Sequence, residues 1–190
     1  MENNTFAKHP TFYAVGLSYK KADAEMRGKF SLDDKAKQNL LHQAKEEGLE
    51  SLVVTSTCNR TEIYGFAQHP FQLIKLLCEN SQGTVEDFQK VAFVYKNNEA
   101  ISHMFRVGTG LDSQILGDFE IISQLKNAFV QSKELNLANA FLERLVNAVI
   151  QASKKIKTDT QISSGATSVS FASVQYIFKN VDDISNKNIL

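Results

Sequence analysis

Only two cysteines stand in the 190 residues, Cys58 and Cys78, far apart and with no CxxC. This excludes a disulfide framework and a paired-thiol redox motif. Residues 1–12 do not read as a secretory leader, and the expected setting for two thiols is a reducing cytoplasm. His9, His42, His69 and His103 keep no metal-ligand spacing with each other or with the cysteines, so no zinc site is expected. No run approaches the roughly 20 apolar residues of a membrane span. The nine glycines contain no GxGxxG, so a dinucleotide phosphate cradle is missing from this stretch. The formal net charge of +0 gives no global pull toward nucleic acid or an anionic membrane and leaves a local basic face open.

What is present reads as a globular chain, 43% hydrophobic and 22% charged, with enough apolar residues for one or two cores. After a polar arm ending at Pro10, residues 12–18 (FYAVGLS) predict a buried strand. Residues 31–47 carry Leu32, Ala36, Leu40 and Ala44 at helical spacing, with Ser31 as N-cap, Asp33 and Asp34 in the first turn and Gly48 as the stop. Residues 51–56 and 61–67 predict two more strands. Pro70 opens a second helix to about Asn80, and residues 91–96 (VAFVYK) give a fourth strand. The order βαββαβ predicts an α+β, ferredoxin-like sheet unit with both helices on one face.

From about residue 98 the period changes to 3.6. A short helix is expected over 100–107 and a long one over 113–133, with Leu116, Phe119, Ile122, Leu125 and Phe129 on one stripe. Another is expected over 137–157, through Leu142, Leu145, Val146, Val149 and Ile156. Lys154, Lys155 and Lys157 near its end read as a solvated face at a favourable dipole position. After the small polar run 163–168, Val169, Ala172, Tyr176 and Ile177 trace a helix side to about Asn180, and an apolar strand is expected to begin at residues 188–190. The expected division is one unit over 1–160, with the sheet unit at about 10–97 and a helical part at 98–160. Residues 161–190 are expected to hold a linking helix and the entrance to a further domain.

Cys58 falls in the connection between the second and third strands, among small, polar and charged residues. A thiol there is partly exposed, and Arg60 two residues on favours the nucleophilic thiolate. The same cysteine can equally be a small packed hydrophobe.

Three stretches, taken together, are specific. Ser56-Thr57-Cys58-Asn59-Arg60-Thr61-Glu62-Ile63-Tyr64 is the first. His103-Met104-Phe105-Arg106 leading into Gly110-Leu111-Asp112-Ser113-Gln114-Ile115-Leu116-Gly117 is the second, and Ile162 to Ser170 (ISSGATSVS) is the third. In this order they resemble the glutamyl-tRNA reductase family, which starts tetrapyrrole biosynthesis from glutamate, and the likeness covers nearly the whole chain.

The resemblance implies that Cys58 attacks the ester carbonyl of glutamyl-tRNA and that NADPH reduces the resulting thioester to glutamate-1-semialdehyde, on the way to 5-aminolevulinate. Arg60 is then the clamp for the substrate carboxylate, and Thr57 and Asn59 supply hydrogen bonds beside the thiol. Ser113, Asp118, Phe119, Glu120 and Gln124 line the substrate pocket, spaced by turns of one helix, with Asp118 or Glu120 holding the ammonium. His103 serves in positioning or in proton transfer to the departing ribose hydroxyl; without the resemblance it reads as a satisfied histidine on a short helix. The family usually has a longer acid and an amide at the positions of Asp118 and Glu120. Its early loop here reads Tyr19-Lys20-Lys21-Ala22-Asp23 without the usual proline, a change expected to touch no site residue.

The resemblance further implies that residues 1–160 are the catalytic domain, that 161–190 hold the linker helix and the beginning of a truncated NADPH-binding domain, and that the full protein forms a homodimer through a C-terminal domain and a complex with the downstream glutamate-1-semialdehyde aminomutase; no metal and no membrane are expected. Two other classes compete: a ferredoxin-like RNA-binding module without catalysis, and a scaffolding domain with inert thiols.

Overall fold

Bulky apolar side chains follow one another along Thr11–Ser18 without a polar alternate, the pattern of a strand covered on both faces. In the computed structural model, which describes residues 9–160, 162 and 169–184, this segment is β1. The further elements are α1 (Ala24–Lys29), α2 (Asp34–Glu46), β2 (Leu52–Ser56), β3 (Arg60–Ala67), α3 (Pro70–Glu79) and α4 (Val85–Val91). They continue as β4 (Phe93–Lys96), α5 (Asn98–Gly108), α6 (Glu120–Glu134), α7 (Ala140–Asp159) and α8 (Val169–Asn180).

The sheet order is β2-β3-β1-β4, with every neighbouring pair antiparallel. This is the expected ferredoxin-like arrangement, with β1 and β3 at the centre. Because strand side chains alternate, Tyr13, Val15, Leu17, Val54 and Ile63 point to one face. There they meet Leu40, Leu41 and Ala44 of α2 and Leu73, Leu76 and Leu77 of α3. Phe12, Ala14, Val53 and Tyr64 point to the other face, where Met104 of α5, Leu125 and Phe129 of α6, and Leu142, Val146 and Val149 of α7 cover them. The sheet therefore separates two cores.

Several boundaries differ from the expectation. Asp33, not Ser31, caps α2, its carboxylate accepting the Ala36 N–H at 2.7 Å. Leu32 is buried and its N–H donates to Ser56 Oγ at 2.9 Å, which ties residues 31–32 to the sheet and keeps them out of the helix. Thr84 caps the short α4, which ends at Val91, so β4 begins at Phe93. α7 begins at Ala140, capped by Asn139, because the Leu137 carbonyl accepts from the Leu52 N–H of β2.

The largest departure concerns the helix expected over 113–133. Residues 109–119 form turns, and α6 starts only at Glu120. Gly110 (φ 74°) and Gly117 (φ 82°) take the left-handed conformation that glycine adopts without steric cost. The Gly110 carbonyl accepts from the N–H groups of both Ser113 and Gly117, at 3.3 and 3.1 Å, closing the segment on itself. Leu116, expected on the buried stripe, is 55% exposed.

The helix traced from Val169 is present as α8. Its Phe171, Val174, Tyr176 and Phe178 are exposed. Residues 163–168, the body of the third motif, and the strand expected at 188–190 lie outside the described residues. Among the described residues no helix is long and apolar enough to cross a membrane.

Candidate active site

The turn between β2 and β3 is held from several sides. Within it, the Thr57 N–H donates to the Arg60 carbonyl at 2.8 Å, and Thr57 Oγ1 accepts the N–H groups of Asn59 and Arg60, both at 3.2 Å. From the segment after β1, the Tyr19 N–H donates to the Asn59 carbonyl at 2.9 Å, and Arg27 Nε donates to the Cys58 carbonyl at 2.9 Å. The early loop thus reaches a site residue through the Tyr19 backbone, whereas Asp23, at the position of the usual proline, caps α1 by accepting the Met26 N–H at 2.8 Å. With its backbone fixed in this way, the turn presents the Cys58 side chain to solvent.

Cys78 is different. It is half-buried on α3, and desolvation, with Glu86 and Glu79 nearby, pushes its thiol from 9.0 up to about 11. At neutral pH this lowers its thiolate fraction about 100-fold relative to an unperturbed thiol. Limiting iodoacetamide at pH 7 is therefore expected to alkylate Cys58 first; equal labelling of the two by peptide mapping would contradict this ordering.

Beneath the turn lies a buried polar network that follows from the strand period. Arg60, Glu62 and Tyr64 alternate along β3 and so share one face, where their register partners on β1 are the small residues Ser18, Gly16 and Ala14. A Cβ on Gly16 would lie 2.9 Å from Glu62 Cγ and 2.5 Å from the Thr61 carbonyl oxygen, so the carboxylate is seated in space that glycine leaves. Arg60 is 2% exposed and Glu62 fully buried. Arg60 Nη1 donates to Glu62 Oε1 at 2.7 Å, and Nη2 donates to the Asp112 carboxylate at 3.3 Å and to its backbone carbonyl. The Tyr64 hydroxyl donates to Glu62 Oε2, and His103 Nε2 lies 3.1 Å from Glu62 Oε1. Lys20 pairs with the other Asp112 oxygen.

Burial works against charge at both Arg60 and Glu62, and the partners overcome it. Glu62, with Tyr64 and Asp112, raises the Arg60 pKa above the ordinary guanidinium value. The His103 hydrogen bond and the Arg60 charge hold the Glu62 carboxyl below the usual range. Burial, and then the Glu62 charge, push the Tyr64 phenol well above its ordinary value.

Thr57, Cys58, Asn59, Arg60, Ser113, Asp118, Glu120 and Gln124 border one cleft of about 50 Å³. They are brought there by the β2–β3 turn and the 110–119 loop as well as by α6, not by a single helix. Asp118 Oδ1 accepts the Glu120 N–H at 3.0 Å, where it faces the positive end of α6. Phe119 is not among the residues bordering the cleft; its ring lies 5.6 Å from Lys157 Nζ, so part of the basic cluster on α7 covers an aromatic face. His103 likewise stands apart from the thiol, lining an adjoining cavity of about 330 Å³ together with Asp112 and Lys20.

Sequence reasoning gave no role to Glu62, Tyr64, Asp112 or Lys20. A signal existed for the first two: the ferredoxin-like order puts this strand at the centre of the sheet, where a charged and a polar residue at alternate positions must be paired. None existed for Asp112, whose partners are 52 and 92 residues away.

A family model described as the N-terminal domain of glutamyl-tRNA(Glu) reductase matches residues 15–160. Glutamyl-tRNA reductase of Flavobacterium psychrophilum is 81% identical over all 190 residues, which cover 46% of its own length. That of Cytophaga hutchinsonii is 35% identical over 184 residues, covering 94% of this chain and 43% of the relative. The solved structure of glutamyl-tRNA reductase from Methanopyrus kandleri superposes with a TM-score of 0.71 at 26% identity, over 88% of this chain and 39% of that one. The chain thus spans less than half the length of these relatives, and it belongs to the glutamyl-tRNA reductase family.

Proposed function

We propose that this chain performs the acyl-capturing half of glutamyl-tRNA reduction, the entry to tetrapyrrole biosynthesis. The Cys58 thiolate adds to the ester carbonyl carbon of glutamyl-tRNA. A C–S bond forms, the C–O bond to the terminal ribose breaks, and the ribose oxygen leaves with a proton, so that glutamate remains as a thioester. The observation that carries this reading is the exposed thiol on a fixed turn, bordered by the residues that the family signature singles out.

Thr57 and Asn59 hydrogen-bond the acyl group. Asp118 and Glu120 take the ammonium, with Ser113 and Gln124 as neutral contacts and Phe119 as support for the loop. Arg60 takes the substrate carboxylate by exchanging one of its contacts with Asp112, which is the solvent-nearer of its two acidic partners. His103, held against Glu62 and lining the adjoining cavity, is assigned the positioning or protonation of the departing ribose oxygen.

In the whole enzyme NADPH, where bound, would supply the hydride for reduction of the thioester. The residues here do not fit it, since no glycine-rich GxGxxG turn is present to cradle its pyrophosphate. Hydride transfer is accordingly assigned to the remaining length of the relatives, as are dimerisation and contact with the aminomutase, while residues 1–160 form the capturing unit. Incubated with glutamyl-tRNA and NADPH, this chain is expected to release free glutamate slowly by thioester hydrolysis and to form no semialdehyde. Deacylation no faster than in buffer would refute capture, and NADPH-dependent aldehyde would refute the division of labour.

A further inference from the structure

The glutamyl ester is carried on a ribose, so the sugar and its base must be seated beside the Cys58 cleft. At about 50 Å³ that cleft is far too small for a nucleoside. Two larger cavities adjoin it. One, of about 260 Å³, shares Gln124 with the cleft, but no aromatic side chain lines it, and its Lys37 is paired with Asp34 at 2.8 Å. The other, of about 330 Å³, meets the cleft across the ion pair between Asp112 on its own wall and Arg60 on the cleft wall. Its volume falls at the lower end of the roughly 300–1,000 Å³ typical of small-ligand sites.

This second cavity has the composition of a nucleotide seat. Phe93 and Tyr95 share one face of β4, their rings 4.9 Å apart and 23° from parallel, and the His103 ring lies 4.7 and 4.9 Å from them. Both are only partly buried, because opposite them on β1 stand Gly16 and Ala14. Beside them are Lys21 and Arg106, both exposed, whose side chains form no ion pair or hydrogen bond among the described residues. β4 is an edge strand, so a polynucleotide can leave the cavity past it. Base–aromatic stacking tolerates any base, and cations without protein partners track phosphates.

We infer that this cavity seats the 3′-terminal nucleotides of the tRNA acceptor end, a base against Phe93 and Tyr95 and the backbone phosphates at Lys21 and Arg106. The inference rests on the proposed acyl capture. A free dinucleotide offers the same purine and phosphate chemistry, so the test must separate the two sources.

A 5′-phosphorylated CCA trinucleotide, carrying no amino acid, and NADPH are titrated calorimetrically into the full chain. The titrations are repeated with Tyr95→Ala, Tyr95→Phe and a Lys21→Ala/Arg106→Ala double variant. The trinucleotide is expected to bind the wild type, to bind Tyr95→Ala about tenfold more weakly and to recover in Tyr95→Phe. In the double variant the slope of log affinity against log salt is expected to fall by about 1 to 2. Absence of binding to the wild type, or binding indifferent to these changes, overturns the inference. Tighter, Tyr95-dependent binding of NADPH also overturns it, assigning the cavity to a free dinucleotide. Transfer to Cys58 from a glutamate α-thioester lacking any nucleotide, measured on the wild type, reads the proposed function separately. Its failure would remove acyl capture while leaving the trinucleotide result to stand.

Discussion

Glu62→Ala is expected to lower the unfolding free energy by about 3 to 5 kcal/mol, the usual cost of leaving one member of a buried ion pair uncompensated. The substitution strands more than Arg60: the Tyr64 hydroxyl and His103 Nε2 lose the same carboxylate. Glu62→Gln keeps the shape and an acceptor but not the charge, and a smaller loss of about 1.5 to 3 kcal/mol is expected. Urea unfolding monitored by circular dichroism measures both; a loss below about 1 kcal/mol in Glu62→Ala would show the network to be solvated rather than buried.

The same carboxylate sets an acid dependence. Its folded pKa lies below the ordinary value of 4.5, so its contribution to stability is fully present above that value. The contribution is lost as pH falls through the lower folded pKa. Wild-type stability should therefore fall more steeply below about pH 4.5 than that of Glu62→Gln, which has no proton to take up at this position.

The sheet was legible because its determinants are local. Apolar runs broken by Gly48, Pro70 and the Gln82–Thr84 turn placed four strands and two main helices, and their βαββαβ order pointed to the ferredoxin-like sheet. The 110–119 loop was not legible, since Leu116 and Phe119 keep helical spacing with Ile122, Leu125 and Phe129 by coincidence. Two glycines at positive φ override that periodicity. The Cys58 turn, with Thr57, Asn59 and Arg60, was visible as a motif. Its companions were found only in part, because the bonds that arrange them, Lys20 and Arg60 to Asp112 and His103 to Glu62, join segments far apart in sequence. What holds His103, a buried carboxylate on the central strand, was likewise not visible from its short helix alone.

Cys58→Ser is expected to reduce glutamyl capture by about 1,000-fold or more, because a serine hydroxyl without an adjacent base is a far weaker nucleophile than a thiolate. Stability should be almost unchanged. The side chain is exposed, and the turn is held by the backbone of residues 57–60, by Thr57 Oγ1 and by Arg27, none of which the substitution alters. The pairing of lost capture with retained folding separates a nucleophile from a packed cysteine.

The most direct measurement is acid trapping after incubation with radiolabelled glutamyl-tRNA. The wild-type chain should retain label that a thiol reagent releases and that peptide mapping places on Cys58, while the folded Cys58→Ser chain retains none. Thiol-labile label on the serine chain at the wild-type level, or no label on the wild type, would contradict acyl capture by Cys58.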